Sequence, residues 1–219
     1  MIRFMSFNYN NNSQHSYTLP PLMIIKPKDI GLPIMTPLKI HLYLKPFIDN
    51  NFDLKNFLIG AKQALTVISG HLSDGNIETI KSLVTCEAYN EISMNYSQYT
   101  NQQKQLLRVT VDDIQHCFLY SLWINKLSKN EFNVKMLTIF DVLINGRQTE
   151  DNVRHELQHK NLQFFDFHQN YKLLEQLLDK KFFCIYEFSR HYTTDSNSDW
   201  IVSKLVHYRN KDLIKLYIH

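Results

Sequence analysis

Glycine is scarce in this chain, with five in 219 residues. A Gly-rich phosphate loop would need more, and neither a Walker loop nor a G-x-S-x-G elbow occurs. Cysteine is scarcer still. Cys86, Cys117 and Cys184 are far apart, odd in number and form no CxxC pair. That argues against a disulfide framework or a Cys-based zinc site and fits a reducing compartment. No apolar run approaches the ~20 residues that span a bilayer as a helix. Charge of one sign is lacking too: 24 Lys+Arg against 21 Asp+Glu leave a net of +3, too little for a dedicated nucleic-acid binder. What is present is a chain 44% hydrophobic and 13% aromatic, with 21% charged residues. Those values exclude disorder over the whole length and allow one large domain or two small ones.

The small charge is unevenly placed. Residues 1–52 hold Arg3, Lys26, Lys28, Lys39 and Lys45 against Asp29 and Asp49, which is 5 − 2 = +3; the rest hold 19 basic and 19 acidic side chains. Residues 1–35 read as a disordered or extended arm, with no acid before Asp29 and prolines at 20, 21, 27 and 33. An acid-free start leans towards organelle targeting, although no Arg-rich amphipathic helix can be drawn. Residues 36–219 read as one domain. Thr36-Pro37 is a helix start, with Thr as N-cap and Pro at the first helical position. Beyond it, Leu38–Lys45 is apolar with basic punctuation. Lys39, His41, Leu42, Tyr43 and Lys45 could meet an anionic membrane surface. The competing reading is a short helix or strand packed on the domain.

The pattern next predicts helices. Leu54, Phe57, Leu58, Ala61, Leu65, Ile68 and Leu72 recur at three- and four-residue steps after the N-cap Asp53, and Ser73–Asn76 ends the helix. Shorter helices are expected from Ile77 to Val84, from Cys86 to Met94 and around 101–107. Strands follow. The period-two set Ile114, His116, Phe118, Tyr120, Leu122 and Ile124 predicts one face of a strand, with Cys117, Leu119 and Trp123 opposite. Further strands are expected at 132–144, 162–168, 182–192 and 198–209, with a helical turn or two at 172–178. Helices followed by antiparallel strands form an α+β layout, in which helices cover one face of a strongly curved sheet. Such a sheet could line a concave client-binding face with Phe118, Tyr120, Phe140, Phe165, Phe167, Tyr186 and Trp200. The alternative is that these aromatics fill the core.

One motif points to an enzyme. His155-Glu156-Leu157-Gln158-His159 matches H-E-x-x-H, in which two His on one helix face grip zinc and the Glu acts as base. Its surroundings argue against that. Residues 147–161 are polar throughout, and neither the Gly nor the third His of the extended motif is present, Leu162 and Phe165 standing there instead. A solvated connecting helix is the natural reading. Cys117 and His116, as strand neighbours, point to opposite faces and make a poor dyad. His191 and His207 read as strand-surface residues, and Asp112-Asp113 as a strand-entry turn. No catalytic residue, metal or cofactor is expected.

Phe52-Asp53-Leu54 with Phe57-Leu58-Ile59-Gly60-Ala61-Lys62-Gln63-Ala64 resembles the opening helix of the mitochondrial m-AAA protease-interacting family. Leu72-Ser73, Leu83-Val84, Tyr186-Glu187-Phe188-Ser189-Arg190 and Asp199-Trp200-Ile201-Val202 continue the likeness. That family is similar to the C-terminal domain of the import-motor tether of the inner-membrane translocase and to a mitoribosomal protein facing the inner membrane. The resemblance implies helices on a curved antiparallel sheet, like nuclear transport factor two. It also implies a non-catalytic matrix adaptor or chaperone, peripheral to the inner membrane. Such a protein associates with an m-AAA protease subunit and assists the precursor of the calcium uniporter's regulator subunit, and it could act near the mitoribosome. A membrane-associated tether of the mitoribosome or import machinery is the alternative, and the HELQH metalloprotease a second one.

Overall fold

The computed structural model describes residues 19–23, 35–144, 180–193 and 198–209. HELQH, Phe165, Phe167, the strand expected at 162–168 and the helical turn at 172–178 lie outside the described residues, as does most of the expected arm.

The helices come first in the chain. α1 (Thr36–Lys39), a π-helical turn over Ile40–Leu44 and α2 (Lys45–Phe47) run on as one segment. Pro46 lacks an N–H, and its ring would crowd the Leu42 carbonyl in a regular α-helix. The wider π turn, closed by Lys45 N–H to Ile40 O, accommodates it. α3 (Leu54–Asp74) is the long helix that the periodicity predicts. The Asp53 carboxylate accepts the Asn56 N–H at 2.7 Å, and Gly75, at φ 81°, supplies the left-handed residue that ends it. The segment Ile77–Ser82 is too short for a stable α-helix and winds as a 3-10 helix; α4 (Cys86–Tyr96) and α5 (Asn101–Gln105) follow. Val111–Asp113 forms the expected strand-entry turn, with the Asp113 carboxylate bonded to the Thr110 N–H and hydroxyl.

Four antiparallel strands then pair in chain order: β1 (Ile114–Lys126), β2 (Phe132–Leu143), β3 (Lys181–Tyr192) and β4 (Ile201–Arg209). The register shifts twice in β1, around Gln115 and Tyr120, and once in β4, around Ser203. Bulges bend and twist the strands that carry them, so both edge strands curve. The bulge at Tyr120 also overturns the unbroken alternation expected of β1. Leu119 opposes Thr138 and Leu122 opposes Met136, so both lie on the helix-covered face. Cys117 and Ile124 share that face, and Phe118 lies on the other with Ser121 and Trp123. One extra residue reverses the phase, which period-two counting cannot detect.

The core sits between this face and α3. Phe57, Ala61, Leu65, Ile68 and Leu72 bury the α3 stripe against Leu122, Met136, Phe140, Tyr186 and Phe188. Each large side chain so buried contributes about 1.5–3 kcal/mol of hydrophobic stabilisation. His207 departs from its expected surface position: it is buried, and its Nε2 lies 3.1 Å from the Tyr186 hydroxyl. Burial lowers its pKa to about 4.

Exposed sheet edges invite unwanted pairing, and both edges here are clipped. On β1, Thr36 Oγ1 donates to Tyr120 O and Lys39 Nζ to Leu122 O, each at 3.0 Å. On β4, Val202 bonds the chain at Leu83 and Thr85, and the Leu205 N–H meets Met23 Sδ at 3.3 Å. The segment around Met23 is held in turn by Asn95 Nδ2 to Leu22 O and by the Tyr99 hydroxyl to Pro20 O. Leu22 and Met23 are buried, so this short piece of the N-terminal region is part of the core.

Candidate peptide-binding groove

The turn after α2, the first half of α3 and the ends of β3 and β4 enclose a groove of about 650 Å³. Its helical wall follows from i, i+4 spacing. Asn56, Gly60 and Ala64 form one row along α3, and Asp53, Phe57 and Ala61 the adjacent one. The first row carries almost no side chain past its first turn. A Cβ added at Gly60 would meet nothing within 4 Å, so the space above it is open.

The floor, where α3 meets the strands, is aromatic. Phe57 makes edge contacts with Phe188, at 5.5 Å between ring centroids, and with Trp200, at 5.1 Å. Phe52 closes the end from the turn, 6.0 Å from Phe57. Arg190 holds the polar rim together. Its Nε donates to Ser198 O at 2.7 Å and its Nη1 lies 3.4 Å from Asp49 Oδ2. Its guanidinium stacks 4.8 Å from the Tyr192 ring centroid and 5.7 Å from that of Trp200. The Tyr192 hydroxyl donates to the same Asp49 oxygen at 2.9 Å. Burial, opposed by the Arg190 charge and reinforced by Asp49, keeps the Tyr192 phenol protonated well above its ordinary range. Asp53 and Asp199, both exposed, complete the rim. The arrangement offers an apolar floor, a polar margin and a fixed shape, which suits binding a side chain or a short peptide segment.

Of the seven aromatics expected to bind a client, the five described ones are not brought together. Trp200 alone of the described ones lines the groove. Phe140 and Tyr186 have no exposed surface and make an edge contact at 5.8 Å inside the core, so they cannot present a client-binding face. Phe118 is exposed on the other side of the sheet, and Tyr120 is half-buried at the β1 bulge. Of the residues expected to face a membrane, His41, Leu42 and Tyr43 are exposed. Lys45 is half-buried, and Lys39 is engaged with the β1 edge. The same segment exposes Leu38 at 48%, Leu42 at 52%, Tyr43 at 57% and Phe47 at 72%. Among the described residues, no three His, Cys, Asp or Glu side chains converge to hold a metal ion, and no helix is long and apolar enough to cross a membrane.

Sequence reasoning missed the groove's acidic rim and Arg190. Gly60, Ala61 and Ala64 were visible, but as a family likeness. Three small residues on one face of an otherwise bulky helix are the signal that a space lies there.

Comparison with known proteins agrees with this architecture. Residues 47–155 match the family model of the Tim44-like domain. The chain is 25% identical over 162 residues to m-AAA protease-interacting protein 1, mitochondrial, of Rattus norvegicus, and equally to that of Mus musculus. Each match covers 74% of this chain and 53% of the relative, so the chain spans about half the length of these curated relatives. No solved structure matches it. The α+β layout accords with these matches: the chain is similar to the Tim44-like domain over residues 47–155 and, at 25% identity, to the mitochondrial m-AAA protease-interacting proteins.

Proposed function

We propose that this chain is a non-catalytic mitochondrial adaptor that associates with the m-AAA protease of the inner membrane and holds a segment of a client protein. The observation that carries this reading is the open groove beside α3, with its aromatic floor and polar rim. Its side chains are fixed by packing and by the Arg190 contacts, as a preformed binding site requires. The name of the relatives supplies the protease as partner. In this reading the chain works on the matrix side on newly imported inner-membrane proteins, and the precursor of the uniporter's regulator subunit is the client implied by the family likeness. The test is a photo-crosslinking residue placed at Ala64 in intact mitochondria. Recovery of the AAA protease or an imported precursor is expected. Labelling confined to the chain itself would overturn the reading.

A second reading is favoured by a separate observation. The segment 36–47 turns an apolar face outward, with basic residues and no acid among residues 35–48. We infer from it a peripheral contact with the inner membrane, in a tether beside the mitoribosome or the import machinery. Removing the whole N-terminal region would also remove the core residues Leu22 and Met23, so point substitutions are the cleaner probe. Leu42→Glu with Phe47→Glu should lower sedimentation with cardiolipin-containing liposomes. Unchanged sedimentation would remove the membrane contact.

A further inference from the structure

The groove beside α3 has a charge imbalance that the adaptor reading leaves unused. Its titratable groups are Asp49, Asp53, Asp199 and Arg190. Asp49 is matched by Arg190 at 3.4 Å and accepts the Tyr192 hydroxyl. Asp53 gives one oxygen to the first turn of α3 as its N-cap, so the positive end of that helix is already partnered there. Asp199 lies on the rim beside Trp200, and it is exposed. Once the Arg190 pair is set aside, two carboxylates border the opening and no cation answers them among its lining residues.

The groove that those carboxylates border has an apolar floor of Phe57 and Trp200, with open space beside it above Gly60. A long basic side chain matches both features. Its methylene stem can lie on the apolar floor while its charged head reaches the rim. The groove already contains one example, since the Arg190 guanidinium stacks on Tyr192 and Trp200 while its nitrogens bond to Asp49 and Ser198. An acidic side chain would bring like charge to the rim, and a wholly apolar segment would leave the carboxylates unanswered.

Resting on the adaptor reading, we propose that the groove recognises an arginine or lysine of a partner polypeptide that enters over Gly60, its stem on Phe57 and Trp200 and its head at the Asp53 and Asp199 carboxylates.

The experiment uses the full chain and three short fluorescein-labelled peptides of Ala and Leu. They carry two Arg, two citrulline or two Glu at the same positions, and fluorescence polarisation follows binding. The Arg peptide should bind about fivefold more tightly than the citrulline peptide, the size of one or two exposed charge contacts, and the preference should shrink with added salt. The Glu peptide should bind most weakly. Asp199→Asn should reduce the Arg preference. Gly60→Phe should abolish binding of the Arg peptide by filling the space. Replacing a helix-interior glycine where a side chain has room does not threaten the fold, and an unlowered urea midpoint verifies this. Equal binding of the Arg and citrulline peptides, no binding of any peptide, or binding untouched by Gly60→Phe would overturn the proposal. The Ala64 crosslink reads proximity to a partner regardless of charge. Crosslinking that persists while the Arg preference is absent would therefore leave the adaptor standing and remove only the basic ligand.

Discussion

Two neighbouring helical segments use apolar residues in opposite ways. α3 turns Phe57, Leu65, Ile68 and Leu72 inward, each less than a tenth exposed. The segment 36–47 keeps Ile40 and Leu44 inside and leaves Leu38, Leu42, Tyr43 and Phe47 to solvent. Apolar content does not separate them. The difference is what each segment lies against. α3 lies across a face of the sheet, which can cover a whole stripe. Thr36 and Lys39 instead fasten the other segment to the edge of β1, and an edge can cover only a narrow line. A contiguous apolar surface left over in this way marks a contact surface rather than a packing defect.

The contrast can be broken most sharply at Leu65. Leu65→Ala should cost about 3 kcal/mol, because it removes a fully buried side chain and leaves a cavity, and urea unfolding measures the loss. A cost below about 1 kcal/mol would mean that α3 is not seated as described. Acid tests the surface on which α3 rests. The folded pKa of His207, at about 4, lies below its ordinary 6.5, so the unfolded chain takes up a proton that the folded chain excludes. Its contribution is therefore complete above about pH 6.5 and declines as the pH falls towards 4, by on the order of 3 kcal/mol in all. Urea midpoints across that range should fall, and the fall should flatten in His207→Gln. An equally steep fall in the variant would assign the acid sensitivity elsewhere. The smallest effect belongs to the outward face. Phe47→Ser should move stability by no more than about 0.5 kcal/mol, whereas a larger loss would show that Phe47 is covered in solution.

The chain announced its long helix clearly, because Asp53 and Gly75 bracket a stripe whose period matches a helix buried on one side. Strand positions were legible for the same reason: Val134, Met136, Phe140 and Val142 keep one face through β2. The faces of β1 were not, since the Tyr120 bulge exists only in its pairing with β2. His207 misled because a polar residue in a strand reads as solvent-facing, and only Tyr186 across the β3–β4 ladder shows why it is inside. The groove was the least legible part. It unites residues 49–64 with residues 188–200, and no local pattern records a meeting across more than 120 positions. Trp200 belonged to both the expected site and the found one, since an aromatic at a strand entrance can serve either.

The clips on the two sheet edges have a mechanical meaning. A pull on the chain ahead of Leu19 would load the contacts of residues 19–23 before any strand. It would lift Met23 away from Leu205 one bond at a time. The load would reach Thr36 and Lys39 next, at the opposite edge. Side-chain clips in series yield singly, whereas the ladders between strands share a load across many bonds at once. Under tension this domain would shed its edge covers first and keep its four strands joined until last, so a puller at that end would bare the sheet edges while the ladders still held.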